Sequence, residues 1–285
     1  MATPRSIIKA INQPYRLTSG DIQAFRKNGY IHLKGVLSDD VLGYYEPIIS
    51  RVTQRNDPAA GISLEDKDLY GKAFIQLGNL WRHDAQVKEL VFCKRLARLA
   101  SELIGTSTIR LYHDQSLYKE PSGGITPWHV DQQYWPMDSA KSVTAWIPLQ
   151  CTPMAMGPLC FGRSSHLKHI ARDVEISNES ERIITQTIKK EKIVEIQEPY
   201  ALGDVSFHYG WTLHRAGGNT TGQTRKAQTV IYMDGEMRLK ARRNKNQEND
   251  RLSWCGDTAD GAVIDGVLTP ILYRNDHRDS PLKRR

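Results

Sequence analysis

Long apolar runs are missing from this chain of 285 residues. None approaches the ~18 residues of a membrane-spanning helix. No apolar segment follows Met1-Ala2-Thr3-Pro4-Arg5 in the manner of a secretory signal, and the ending Pro281-Leu282-Lys283-Arg284-Arg285 is not a peroxisomal address. The expectation is a cytoplasmic protein with no membrane partner. Cysteine is scarce. Cys93, Cys151, Cys160 and Cys255 show no CxxC spacing, which excludes a zinc ribbon or a disulfide framework and leaves four reduced thiols. No phosphate-binding or dinucleotide-binding loop surrounds Gly123-Gly124, so that pair reads as a turn. Internal repeats and low-complexity segments are absent. A surplus of one charge sign is present but diffuse. The net charge of +7 is spread along the chain, with local clusters at Lys189-Lys190-Glu191-Lys192, at residues 240–245 and in the tail. These read as solvated faces, and no nucleic-acid partner is expected.

What is present is enough sequence for one substantial core. Residues 1–16 read as an N-terminal arm, 17–275 as a single domain, and 276–285 as a basic tail. Thr18-Ser19-Gly20-Asp21 opens a helix that Asn28-Gly29 ends. Residues 30–36 alternate as a strand. Ser38-Asp39-Asp40 caps a second helix to about Arg55, and Pro47 within it predicts a kink or break. A third helix is expected from Gln86 to Ile104, stopped by Gly105. Beyond it the texture changes to short strands over 109–118, 143–150, 192–196, 204–214 and 225–234, punctuated by Gly, Pro, Asn and Ser. That pattern predicts an antiparallel sandwich or barrel. Residues 170–190 read as a polar insertion with some helix, and 235–260 as charged loop.

One short stretch organises the rest, Pro127-Trp128-His129-Val130-Asp131-Gln132. In an extended strand, residues i and i+2 face the same way. An imidazole nitrogen from His129 and a carboxylate from Asp131 would then aim at one point. Those are two of the three ligands of a two-histidine-one-carboxylate site, the arrangement of non-haem iron(II) oxygenases. The third must be a histidine returned by a later strand, and His214 is the candidate. His208 shares its strand parity and competes. The turn-rich residues 217–222 predict a hairpin about Asn219-Thr220, which would set Arg225 opposite His214. A guanidinium there holds a carboxylate in a two-point fork. The set therefore predicts a small dicarboxylic co-substrate.

These residues sit among others that together resemble the phytanoyl-CoA dioxygenase family of iron(II)- and 2-oxoglutarate-dependent oxygenases. The resemblance is carried by Leu117-Tyr118-Lys119-Glu120-Pro121, Thr126-Pro127-Trp128-His129-Val130-Asp131-Gln132, Tyr134-Trp135-Pro136 and residues 143–149. Gly157-Pro158-Leu159, Ser164-Ser165-His166, Gly203-Asp204 and His214 with Arg225 eleven residues on complete it. It extends over about residues 17–275. It implies a mainly β fold with flanking helices, a double-stranded β-helix or jelly-roll. It also implies Fe(2+) on His129, Asp131 and His214, 2-oxoglutarate held by Arg225, and O2 as second co-substrate. Gln115 and Trp146 fall where the family makes further co-substrate contacts, with Gln76 as a third. Related halogenases carry a small residue in place of Asp131, so its carboxylate favours hydroxylation or another oxidation over halogenation; the resemblance implies a small organic substrate, such as a secondary-metabolite intermediate.

Blander readings stand beside these. His113 reads as core or surface. Trp128, Tyr134 and Trp135 either line a pocket or pack the jelly-roll. Lys119 either touches an anion or is a solvated strand end. A nucleic-acid or protein demethylase, and a jelly-roll binding protein without turnover, are the competing functions.

Overall fold

A computed structural model describes residues 2–67 and 69–275; the tail expectation at 276–285 lies outside the described residues. The elements run α1 (Arg5–Asn12), α2 (Ser19–Asn28), β1 (Tyr30–Leu33), α3 (Asp39–Arg55), α4 (Leu69–Ala73), β2 (Ile75–Gly78), α5 (Ala85–Val91), α6 (Lys94–Ile104), β3 (Thr108–Lys119), β4 (Thr126–His129), β5 (Ser142–Pro148) and β6 (Leu159–Gly162). Then follow α7 (Asn178–Lys190), β7 (Glu195–Gln197), β8 (Val205–Tyr209), β9 (His214–Ala216), β10 (Arg225–Asp234), α8 (Lys245–Asp250) and β11 (Ile271–Arg274). No helix among the described residues is long and apolar enough to cross a membrane.

Two antiparallel sheets face each other. The larger runs β1-β8-β5-β10-β3-β11, with β2 also on β3, and the smaller runs β4-β9-β6-β7. This is the expected mainly β architecture with flanking helices, the double-stranded β-helix. Strand alternation divides the work of the large sheet. Val143, Ala145, Ile147, Val205, Phe207, Val230 and Tyr232 point outward into the main core, against Phe25, Val41, Leu42, Ile49, Leu96 and Leu99 of the helices. Their neighbours Thr144, Trp146, Ser206, His208, Thr229 and Ile231 point inward, toward the small sheet. The register lays these across the sheet as rows. His113, Ile231, Thr144 and His208 form one, and Gln115, Thr229, Trp146 and Ser206 the next. The pleat thus gives the sheet an apolar back and a polar front.

Several elements differ from the sequence expectation. The predicted helix over 86–104 is two, α5 and α6, because Phe92 leaves helical geometry and Cys93 takes extended angles as the N-cap of α6. Helix α3 runs unbroken through Pro47. The stretch read as an arm carries α1, whose Ile11 is buried in the main core. Residues 204–214 are not one strand. They are β8 and β9, joined by a turn at 210–213 and placed in different sheets. The charged stretch after 235 is not all loop, since α8 continues into a π-helical turn, Arg251–Cys255.

A candidate metal centre and co-substrate pocket

The site lies where the two sheets face each other. β4 and β9 pair antiparallel with His129 directly across from His214, and the imidazole centroids are 4.1 Å apart. Val130 is extended at φ −126°, ψ 133°, so Asp131 still points as residue i+2 of a strand although a 3-10 turn begins with it. The carboxylate oxygen Oδ1 of Asp131 lies 3.7 Å from His129 Nε2 and 3.5 Å from His214 Nε2. One donor atom from each of the three residues falls within 4.8 Å of the others.

Local hydrogen bonds set this geometry. Ser165 Oγ accepts from Leu213 N at 2.8 Å, and Thr212 Oγ1 donates to Gly29 O at 2.7 Å, which braces the start of β9. Gly29 sits at φ 87° at the end of α2, where a Cβ would collide with His166 and Thr212. Gln132 N donates to Gly210 O, and Gln132 Oε1 accepts from Ser142 Oγ, both at 2.9 Å, which fixes the turn beneath Asp131.

The donor set suits a divalent metal. His129 Nδ1 lies 2.7 Å from Pro127 O and His214 Nδ1 lies 3.0 Å from Thr212 O. A carbonyl accepts only, so both Nδ1 atoms carry the proton and both Nε2 lone pairs face the centre. Burial pushes His129 below its usual range against the pull of Asp131. Burial, and then the charge of His129, push His214 well below its own. Both shifts favour the neutral ring, the ligating form. Burial alone would raise the Asp131 carboxyl, yet His214, His208 and His129 around it hold it well below the ordinary value. Its second oxygen, Oδ2, accepts from Thr144 Oγ1 at 2.9 Å and lies 3.2 Å from His208 Nε2. His208 therefore faces the outer side of the carboxylate, while its Nδ1 is buried without a partner among the described residues. Two neutral nitrogens and one anionic oxygen, with open space on the far side, form the facial arrangement that the chemistry of ferrous iron favours.

That space is a cavity of about 370 Å³. Its lining includes His129, Asp131 and His214, together with Gln76, Gln115, Trp146 and Arg225. Arg225 begins β10 opposite Lys119 of β3 and is 2% exposed. Its Nη1 donates to Gly157 O at 2.8 Å, and its Cζ lies 5.5 Å from the Trp146 ring centroid. Its Nε and the indole Nε1 of Trp146 have no partner among the described residues. Burial lowers this guanidinium to about 10. Lys119 beside it is also fully buried, its ammonium donating to Gly124 O, and burial with the charge of Arg225 brings it down to about 7. A buried guanidinium with no ion-pair partner among the described residues makes an anion site.

A profile of the phytanoyl-CoA dioxygenase family matches residues 25–227. The chain belongs to the phytanoyl-CoA dioxygenase family. It is an iron(II)- and 2-oxoglutarate-dependent dioxygenase of that family. No curated protein matches it at a significant level in sequence. Solved structures do. The non-haem α-ketoglutarate-dependent carbocyclase SnoK from nogalamycin biosynthesis is 23% identical, with TM-score 0.74, covering 91% of this chain and 99% of that one. The epimerase SnoN, solved with Fe3+, α-ketoglutarate and nogalamycin RO, is 25% identical, with TM-score 0.72, covering 89% and 97%. EctD from S. alaskensis, solved with 2-oxoglutarate and 5-hydroxyectoine, is 18% identical, with TM-score 0.64, covering 81% and 83%.

Within this family fold, the hairpin argument for Arg225 needs correction. β9 and β10 lie in different sheets, so Arg225 is not across a ladder from His214. It reaches the cavity from the facing sheet. Lys119 is no solvated strand end. Trp128 packs away from the cavity with Cys160, Ile184 and Leu213, under the Arg215 guanidinium, whereas Tyr134 and Trp135 line it. His113, read as core or surface, lines the cavity. Sequence reasoning missed Thr144 as a partner of Asp131 and missed Asp250 entirely. Thr144 had a signal in its place on an alternating strand. Asp250 had none, because it comes from a helix that closes over the cavity from outside the sheets.

Proposed function

We propose that this protein oxidises an aliphatic C–H bond of a small organic molecule, most simply by hydroxylation, releasing succinate and CO2. His129, Asp131 and His214 are assigned as ligands of iron(II), and Arg225 as the group that holds the far carboxylate of 2-oxoglutarate. Gln115 and Trp146 are assigned to the wall along the co-substrate. The observation that carries this is the convergence of Nε2, Nε2 and Oδ1 on a cavity also lined by a buried guanidinium whose Nε has no partner among the described residues. Iron held there supplies activation of dioxygen, coupled to decarboxylation of 2-oxoglutarate. The chain's own residues do the positioning. The two carbonyls behind His129 and His214 keep the ring tautomers fixed. Thr144 and His208 keep Oδ2 of Asp131 occupied and leave Oδ1 for the metal. Arg225 orients the co-substrate.

A cavity of about 370 Å³ supports a small-molecule substrate. The similar structures include a carbocyclase and an epimerase, so the outcome here is assigned to substrate placement within the cavity. The test is succinate formation by purified protein with ferrous iron, 2-oxoglutarate and a metabolite panel. Stimulation by one compound class is expected, and Asp131→Ala should abolish hydroxylation and weaken iron retention. Full turnover in Asp131→Ala would overturn the ligand assignment.

A further inference from the structure

The cavity is electrically two-ended. Arg225 and Lys119 stand at one end of the β10–β3 pair. Six residues along β10, roughly 20 Å at strand rise, Ile231 pairs with His113. There the register slips by one residue between Ile231 and Tyr232. Such a bulge re-aims side chains, and here Tyr112 and His113 both come inward, their rings 4.9 Å apart. Tyr112 donates its hydroxyl to Asp250 Oδ2 at 2.7 Å, which places that carboxylate at the end of the cavity away from Arg225.

Asp250 meets no cation among the described residues. Arg251 beside it is engaged by Glu248 at 2.7 Å. Burial raises its carboxyl to about 7. Exposed Glu175 lines the cavity next to Ile176, whose N–H donates to the Tyr134 hydroxyl at 2.9 Å. The rings of Tyr134 and Trp135 wall the space between. His113 is 2% exposed, and its Nδ1 has no hydrogen-bond partner among the described residues. Arg215 also lines the cavity but is engaged by Glu181 at 2.8 Å and Glu195 at 3.2 Å. One end therefore carries positive charge for a dianionic co-substrate. The other carries carboxylates, π-faces and an unused imidazole acceptor.

We propose that this second end binds an ammonium group, so that the substrate is a small primary amine. The carboxylate of Asp250 supplies the opposite charge, the Trp135 and Tyr134 rings supply cation–π contact, and His113 Nδ1 accepts one ammonium hydrogen. The assignment rests on the reading above that this cavity is the catalytic pocket. It is tested on the full chain with manganese(II) as a redox-silent metal and saturating 2-oxoglutarate. The protein is offered a mixture of matched small primary amines and their N-acetyl derivatives, and retained compounds are counted by mass spectrometry. Amines are expected to be retained at least tenfold over their acetylated partners. That preference should fall to near parity in Asp250→Asn, which keeps the shape and still accepts from Tyr112. Glu175→Gln, at the exposed rim, should lower it two- to fivefold and decides the matter should Asp250→Asn fail to fold. Parity in the unmodified protein, no retained compound, or undiminished preference in both variants overturns the proposal. Retention of 2-oxoglutarate is read in the same samples. Co-substrate held without amine preference removes only the amine assignment, whereas co-substrate not held removes the catalytic reading beneath it.

Discussion

Two charged side chains buried in this chain have opposite consequences. Arg225 is a buried cation whose only hydrogen bond among the described residues goes to Gly157 O. A bound carboxylate completes it. Hydrogen bonds to charged groups contribute ~1.5–3 kcal/mol each, so Arg225→Ala should weaken 2-oxoglutarate binding about 10- to 100-fold. Arg225→Lys should recover little of this, because an ammonium cannot copy the fork. Titration of the metal-loaded protein with 2-oxoglutarate measures both. Asp114 is a buried anion on the outer face of the large sheet. It accepts from Trp81 N at 3.5 Å and from Gln228 Nε2 at 2.7 Å, and no cation pairs with it among the described residues. Burial pushes it up to about 7. An acid raised in the folded state holds its proton longer folded than unfolded. Its contribution is therefore fully favourable below pH ~4 and is lost as pH rises toward 7, a change on the order of a few kcal/mol. Asp114→Asn should remove that slope and stabilise the protein at pH 8. The new amide can donate to Gln228 Oε1, which has no partner among the described residues, once the Gln228 amide flips. Urea midpoints at pH 5 and pH 8 check this. A variant with the same pH slope as the parent would show that Asp114 is not the source.

At the scale of elements, the legible parts of the sequence were those with local cues. β3, β5 and β10 follow alternation, α2 and α3 follow their caps, and the His129–Asp131 pair follows from two-residue periodicity. The break between β8 and β9 was not legible, because the apolar–polar alternation from Val205 continues through Gly210 to Leu213 and carries no sign that the chain changes sheets. Nor was the route by which Arg225 reaches the cavity, since sheet membership is decided by long-range pairing. Pro47 misled because a helix can pass through a proline where packing compensates for the lost bond. Where two loops meet, a glycine does what no pattern announces. Gly157 has φ 67°, and a Cβ there would stand 2.2 Å from Gly217 O. Its own carbonyl accepts from Arg225. Gly157→Ala should therefore cost both backbone strain, ~1 kcal/mol or more, and the placement of the guanidinium. The expected outcome is a lower Tm together with weaker 2-oxoglutarate binding. A lower Tm with unchanged co-substrate affinity would show that the loop does not set the position of Arg225.

Across the whole molecule, the site joins two sheets through the ligands it gathers. His129 and His214 belong to the small sheet, with Asp131 just past β4. Thr144, His208 and Arg225 belong to the large one. Metal with 2-oxoglutarate bound between them adds contacts that neither sheet makes alone, and such binding exists only in the folded state. Linkage then requires added stability of RT ln(1 + [L]/Kd), about 2.7 kcal/mol at a hundredfold excess over Kd. For a chain of this size, each kcal/mol is worth roughly 2–4 °C, so manganese with 2-oxoglutarate should raise Tm by about 5–10 °C over chelator-treated protein. Asp131→Ala separates this from surface ion binding. It removes one ligand from the cluster while leaving the exposed acids untouched, so its Tm should respond to metal and 2-oxoglutarate much less than the parent's does. Arg225→Ala should keep the response to metal and lose most of the further rise with 2-oxoglutarate. Equal stabilisation of the parent and of Asp131→Ala would mean that the ion binds elsewhere on the surface, and that the two sheets are held together by their core alone.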